Sequence, residues 1–142
     1  MQTFNTFPHA TVIDTTAFLS LLWQNDTNHL RAKAQYERLL DVHAKLYTSN
    51  YIVLEVDNWI QEHTKGEIFL DILSSTKGLI DVVYIDRNLH AQAIQHLKSN
   101  KESDATVTDW TTVVLATRLK AKTFSFNQKL ANMGALLIPF GE

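Results

Sequence analysis

Short β-branched runs alternate along this chain with longer stretches whose apolar residues recur at helical spacing. Residues 10–14 form the first strand-like run and end on a polar residue, Asp14. Residues 15–23 then place Phe18, Leu19 and Leu22 on one helical face, and residues 27–44 predict a helix with Leu30, Ala34, Leu39 and Leu40 inward. A strand over 45–49 is followed by a helix over 51–63, striped by Ile52, Val56, Trp59 and Ile60. A further helix over 67–75 is broken by Lys77 and Gly78. A strand over 80–85, helices over 88–98 and 106–119 and a strand over 122–126 come next. The pattern closes on a short helix near 128–132 and a strand over 136–138, stopped by Pro139. Such alternation predicts an α/β protein, a three-layer α/β/α sandwich around a central parallel sheet. No repeat or Pro/Gly-rich linker divides it, so residues 1–142 read as one domain.

Composition narrows the chemistry. Apolar residues make up 45% of the 142 and charged residues 20%, which suits a packed core rather than a disordered tail. With no cysteine, the chain offers no disulfide scaffold, thiolate zinc site or cysteine nucleophile. No apolar run approaches the roughly 18 residues of a spanning helix, and the first nine residues lack a signal-peptide pattern, so a cytoplasmic protein without membrane contact is expected. Residues 1–97 carry net −4 and residues 98–142 net +2, far from the balance of a strongly basic nucleic-acid binder.

In an open parallel sheet, ligands bind beyond the carboxyl ends of the strands, where the strand order reverses. Those ends are acidic here. Asp14 closes the first strand, Glu55 lies about one turn into the helix after the second, and Asp109 lies in the first turn of the helix that leads to the 122–126 strand. Asn127 closes that strand. With the first strand and the 122–126 strand adjacent, all four converge on one pocket. Three carboxylates together repel, so one pKa rises unless a cation is present. Mg²⁺ or Mn²⁺ suits oxygen ligands and keeps waters for substrate. The inferred chemistry is metal-assisted phosphodiester hydrolysis. Purely structural roles compete: Asp14 as an N-cap, Thr106-x-x-Asp109 as a capping box, and Glu55 as a helix-edge acid reaching solvent. Against the last, the apolar neighbours of Glu55 imply that its carboxylate needs a partner.

These residues carry a family likeness. The segment VIDTTAFL over 12–19 resembles the opening motif of PIN domains, and YTSNYIVLE over 47–55 resembles their second. TVTD over 106–109 resembles the third, and TFSFNQKL over 123–130 with Gly134 the fourth. The likeness spans about residues 10–139. It implies a Mg²⁺- or Mn²⁺-dependent ribonuclease, and many small members are toxins of type II toxin–antitoxin pairs, homodimeric and silenced by a protein antitoxin. Carried over by position, Asp14, Glu55 and Asp109 match the first three acids. Thr16 matches the hydroxyl near the metal, and Thr106 and Thr108 match the hydroxyls before the third acid. Asn127 departs, standing where the family commonly has aspartate. Its carbonyl oxygen still suits a metal or a metal-bound water, but it brings no charge. An alternative follows, a catalytically weakened PIN fold that binds RNA or a protein. Asp104 would compensate only if its loop folds back.

Other residues point elsewhere. The six histidines show no ligand spacing and read as surface or half-buried. Trp23, Trp59 and Trp110 fall on apolar stripes, so packing is expected, with Trp110 the one placed to meet a nucleobase. Leu21 and Trp23 are extra apolar positions suited to a dimer contact. No nucleophile elbow, P-loop or Gly-rich dinucleotide fingerprint occurs. A receiver domain would want an adjacent acid pair after the first strand, and a haloacid-dehalogenase-type phosphatase an aspartate where Thr16 stands.

Overall fold

The computed structural model describes residues 10–64, 68–75, 78–101 and 103–139. Five strands form one parallel sheet: β1 Ala10–Ile13, β2 Lys45–Ser49, β3 Ile80–Val83, β4 Lys122–Phe124 and β5 Leu137–Ile138, in the order β3-β2-β1-β4-β5. Helices flank it: α1 Thr15–Leu22, α2 His29–Asp41, α3 Asn50–His63, α4 Ile68–Ser75, α5 Arg87–Ser99, α6 Val107–Leu119 and α7 Lys129–Asn132. The architecture is the expected α/β/α sandwich. Thr11, Val12 and Ile13 of β1 are fully buried, as a central parallel strand covered on both faces requires.

Strand order reverses between β1 and β4, whose register pairs Val12 with Thr123 and Ile13 with Phe124. The ladder runs one step further, with the Asp14 amide donating to the Phe124 carbonyl at 3.0 Å. This pairing brings the chain just after β1 against the chain just after β4.

The elements follow the apolar pattern to within two residues at most ends. Two differences have physical causes. The helix expected over 27–44 begins only at His29 and buries Ala32, Gln35 and Leu39. Leu30 and Ala34 lie off that face, so Leu30 is 76% exposed and Ala34 is exposed too, while Leu40 is only partly covered. The strand β4 ends at Phe124 rather than at 126, with one last bond from the Ser125 amide to the Ile138 carbonyl before the chain bends at Phe126. That turn carries Ser125 and Asn127 to the switch point.

Helix α6 buries seven consecutive residues, Trp110 to Ala116. The hydroxyls of Thr111 and Thr112 donate to the Thr108 carbonyl at 2.7 and 2.9 Å, which satisfies both inside the core. α6 ends on Lys120 in the left-handed conformation. Of the predicted helix break, Gly78 turns with φ +78°, while Lys77 lies outside the described residues. Among the described residues no helix is long and apolar enough to cross a membrane.

Candidate acidic site at the switch point

Asp14 sits where β1 gives way to α1 and is 4% exposed. It occupies the N-cap position of α1, yet makes no capping hydrogen bond to that helix's second or third amide. Its carboxylate turns across the sheet instead. Ser125 donates to Oδ2 at 2.7 Å, and Thr16 Oγ1 lies 3.4 Å from the same oxygen. Thr16 Oγ1 accepts from the Phe126 amide at 2.9 Å and lies 3.1 Å from Ser125 Oγ. With the Ser125 proton donated to Asp14, the single Thr16 proton has two acceptors in reach, Asp14 Oδ2 and Ser125 Oγ. The Asn127 amide donates to Ser125 Oγ at 2.9 Å and completes that hydroxyl. The β4 turn thus wraps the Asp14 carboxylate with ordered dipoles.

Burial pushes the Asp14 carboxyl up to about 6. The Ser125 hydroxyl and the Thr15 amide oppose that rise, and the charges of Asp109 and Glu55 add to it. Three acids remote in sequence therefore lie within electrostatic reach of one another. Among the described residues, though, no three of them close directly around a common ion. Mg²⁺ does not need such a cage, because it is commonly bound by one or two carboxylates and keeps several waters. The all-oxygen donor set, with a buried acid whose charge its neighbours disfavour, fits a hydrated hard cation.

Glu55 projects from α3 and is exposed, so it escapes the apolar surroundings that its neighbours in sequence suggest. Its partner is Thr15, whose hydroxyl donates to Oε1 at 2.6 Å. Asp109 does form the expected capping box. Its Oδ2 accepts from the Thr106 amide at 3.0 Å, and its own amide donates to Thr106 Oγ1 at 3.1 Å. Lys129 Nζ lies 3.3 Å from the same Oδ2. Asn127 Oδ1 accepts from the Lys129 amide at 3.2 Å, so its carboxamide starts α7. Asp104 is 89% exposed at its side chain and lies 3.8 Å from Lys129, not beside Asp14.

Ser125, Thr15 and Lys129 are the residues that sequence reasoning missed. Each acts on an acid distant in sequence: Thr15 on Glu55 at a separation of 40 and Ser125 on Asp14 at 111. The available signal was local: Ser125 and Asn127 sit two apart at a strand end, and Thr15 adjoins Asp14.

The three tryptophans are otherwise engaged. Trp110 is 6% exposed and His96 stacks on it at 4.7 Å, so its face does not await a base. Trp23 packs edge-on against Trp59 at 5.1 Å. Leu21 lines an apolar cleft of about 140 Å³ with Phe18, Leu22, Tyr36, Phe69 and Ile72.

Fold and site together define a parallel α/β protein with a carboxylate cluster at its switch point. Neither a family model nor a curated protein matches the sequence. Solved structures do match. VapC20 of Mycobacterium tuberculosis, a sarcin–ricin loop cleaving toxin, superposes with a TM-score of 0.77 at 18% identity, over 89% of this chain and 96% of that one. VapBC2 of Rickettsia felis, bound to a DNA fragment from its promoter, gives 0.65 at 12% identity over 90% and 96%. FitAcB of Neisseria gonorrhoeae gives 0.65 at 14% identity over 89% and 95%. The chain has the PIN-domain fold.

Proposed function

We propose that this protein is a Mg²⁺- or Mn²⁺-dependent endoribonuclease, the toxin of a type II toxin–antitoxin pair. One observation carries the reading: Asp14 is buried, held by Ser125, and made reluctant to ionise partly by Asp109 and Glu55. A lone structural aspartate has no reason to sit in such company. A cation relieves the repulsion and makes the cluster stable in its charged form. The fold, shared with a toxin described as cleaving the sarcin–ricin loop, supports the same reading.

In this account Asp14, Glu55 and Asp109 hold a hydrated cation partly through its own waters, and the Asn127 carbonyl stands in the turn after β4. When bound, the cation supplies Lewis-acid polarisation of the phosphoryl oxygen and a more acidic water. The chain's own residues prepare the site. Ser125 and Thr16 fix the Asp14 carboxylate and keep it ready to carry charge. Thr15 steers Glu55 toward the corner where Asp14 lies. Thr106 anchors Asp109 to the start of α6, and the Thr108 carbonyl ties that turn into the core.

An antitoxin partner is part of the proposal, supported by structural neighbours solved as VapBC2 and FitAB on DNA. The exposed Leu30, Leu54, Leu79 and Tyr84 and the cleft beside Leu21 offer apolar surface to a partner or a second copy. A cytoplasmic homodimer is proposed accordingly.

A second reading, a weakened PIN fold that binds RNA or a protein, draws on Asn127. That side chain lacks charge, and its Oδ1 already accepts a backbone proton.

Purified protein incubated with a sarcin–ricin loop RNA and with unstructured RNA tests the proposal. Cleavage is expected with Mg²⁺ or Mn²⁺, lost in EDTA and lost in Asp14→Asn and Asp109→Asn. Cleavage that survives EDTA or Asp14→Asn overturns it. Binding of RNA without cleavage favours the second reading.

A further inference from the structure

The turn after β4 joins two of the acids by an unbroken polar thread. Asp14 Oδ2 accepts from Ser125, Ser125 Oγ accepts from the Asn127 amide, Asn127 Oδ1 accepts from the Lys129 amide, and Lys129 Nζ pairs with Asp109 Oδ2. Lys129 is therefore placed by its own backbone. Its side chain is only 30% exposed and that of Asp109 13%, so the ammonium–carboxylate pair sits inward rather than out in solvent. A second contact, 3.4 Å from Nζ to the Asp104 carbonyl, holds the ammonium in place.

Charge arithmetic gives this contact a meaning. Asp14, Glu55 and Asp109 together carry three negative charges when ionised, and Asn127 adds none. A fixed ammonium on Asp109 leaves two, the charge that one divalent ion neutralises; the Asp104 carboxylate, 3.8 Å from the same ammonium, is 89% exposed and screened by solvent. It also puts a positive charge 3.3 Å from Asp109 Oδ2, and a second cation on that carboxylate would be repelled by it. Lys129 Nζ and the Thr106 amide share Oδ2 of Asp109.

We propose that Lys129 is a tethered cation of the acidic cluster, which holds its Asp109 side and so limits the cluster to a single divalent ion on the Asp14 side. Lys129 is a positioning residue that acts through Asp109. The inference rests on the metal-site reading above and adds ion number and location to it.

Metal binding by the whole, metal-free chain tests it, with Mn²⁺ as the probe and free Mn²⁺ followed by electron paramagnetic resonance. Wild type is expected to take up one Mn²⁺. Lys129→Met is expected to bind its first ion roughly tenfold more tightly, through loss of a nearby like charge, and to take up a second. Lys129→Gln, which keeps a polar head without charge, is expected to do the same. Lys129→Arg keeps the charge and is expected to stay at one ion. Asp14→Asn is expected to lose the site. One ion in both uncharged variants, at wild-type affinity, overturns the role of Lys129 while leaving the metal site standing. No Mn²⁺ uptake by wild type overturns both.

Discussion

Asp14 and Asp109 feel each other's charge, and each lies at the start or in the first turn of a helix. They are held in opposite ways. Asp109 is satisfied locally: it closes a capping box four residues long, and Lys129 pairs with it. Asp14 leaves its own helix uncapped and takes its hydrogen bond from a serine 111 residues away. The first arrangement lowers the free energy of the fold. The second costs free energy, because burial and two neighbouring acids disfavour its charge. Stability given up at one acid and kept at the other is what the proposed function expects of Asp14.

The sharpest way to break this contrast is to neutralise Asp14. Asp14→Asn is expected to reduce RNA cleavage by about a hundredfold or more, in line with loss of a principal charge at a reacting centre. The same change should stabilise the apo protein. The folded value near 6 lies above the ordinary 3.8, so between them the native state holds more protons than the unfolded one. Stability thus falls as pH rises from about 4 to 6, and the full penalty, about 3 kcal/mol, is present above that range. Thermal unfolding of the variant at pH 7.5 should gain up to that amount, and its slope between pH 4 and 6 should flatten. An equal loss of stability at both pH values would contradict the assignment.

Ser125→Ala comes next. Removing the donor to a buried carboxylate should cost about 1–3 kcal/mol at pH 7.5 and less at pH 4, where Asp14 is protonated. Thr106→Ala removes the cap at the other acid and should cost about 1 kcal/mol at both pH values. Denaturant unfolding of the two variants at both pH values separates a charge-dependent contact from an ordinary cap. Smallest in stability is Thr15→Val, which frees an exposed Glu55 and should change stability by less than about 0.5 kcal/mol. Its effect should appear in cleavage rate instead.

The contrast also explains what the sequence disclosed. Helix and strand positions were legible because core burial imposes its own period, as in Ile52, Val56 and Ile60 of α3. The capping box was legible because it spans only four residues, Thr106 to Asp109. Leu30 misled because an apolar residue at a helix start fits more than one face. The partners of the acids were hidden, since Thr15 with Glu55 and Ser125 with Asp14 meet only after the sheet assembles. The apolar run around Glu55 suggested an enclosed carboxylate, but α3 turns that side chain outward. Lys129 was hidden for the same reason as those partners, since only the folded turn before α7 sets it on Asp109.

The central claim is that Asp14 is held against its own charge in readiness for a cation. Titration of its side-chain carboxyl carbon by nuclear magnetic resonance, with and without Mg²⁺, tests this most directly. The account predicts a midpoint near 6 in the metal-free protein, moving clearly downward when Mg²⁺ is added. A midpoint near 3.8 that Mg²⁺ leaves unmoved would contradict it.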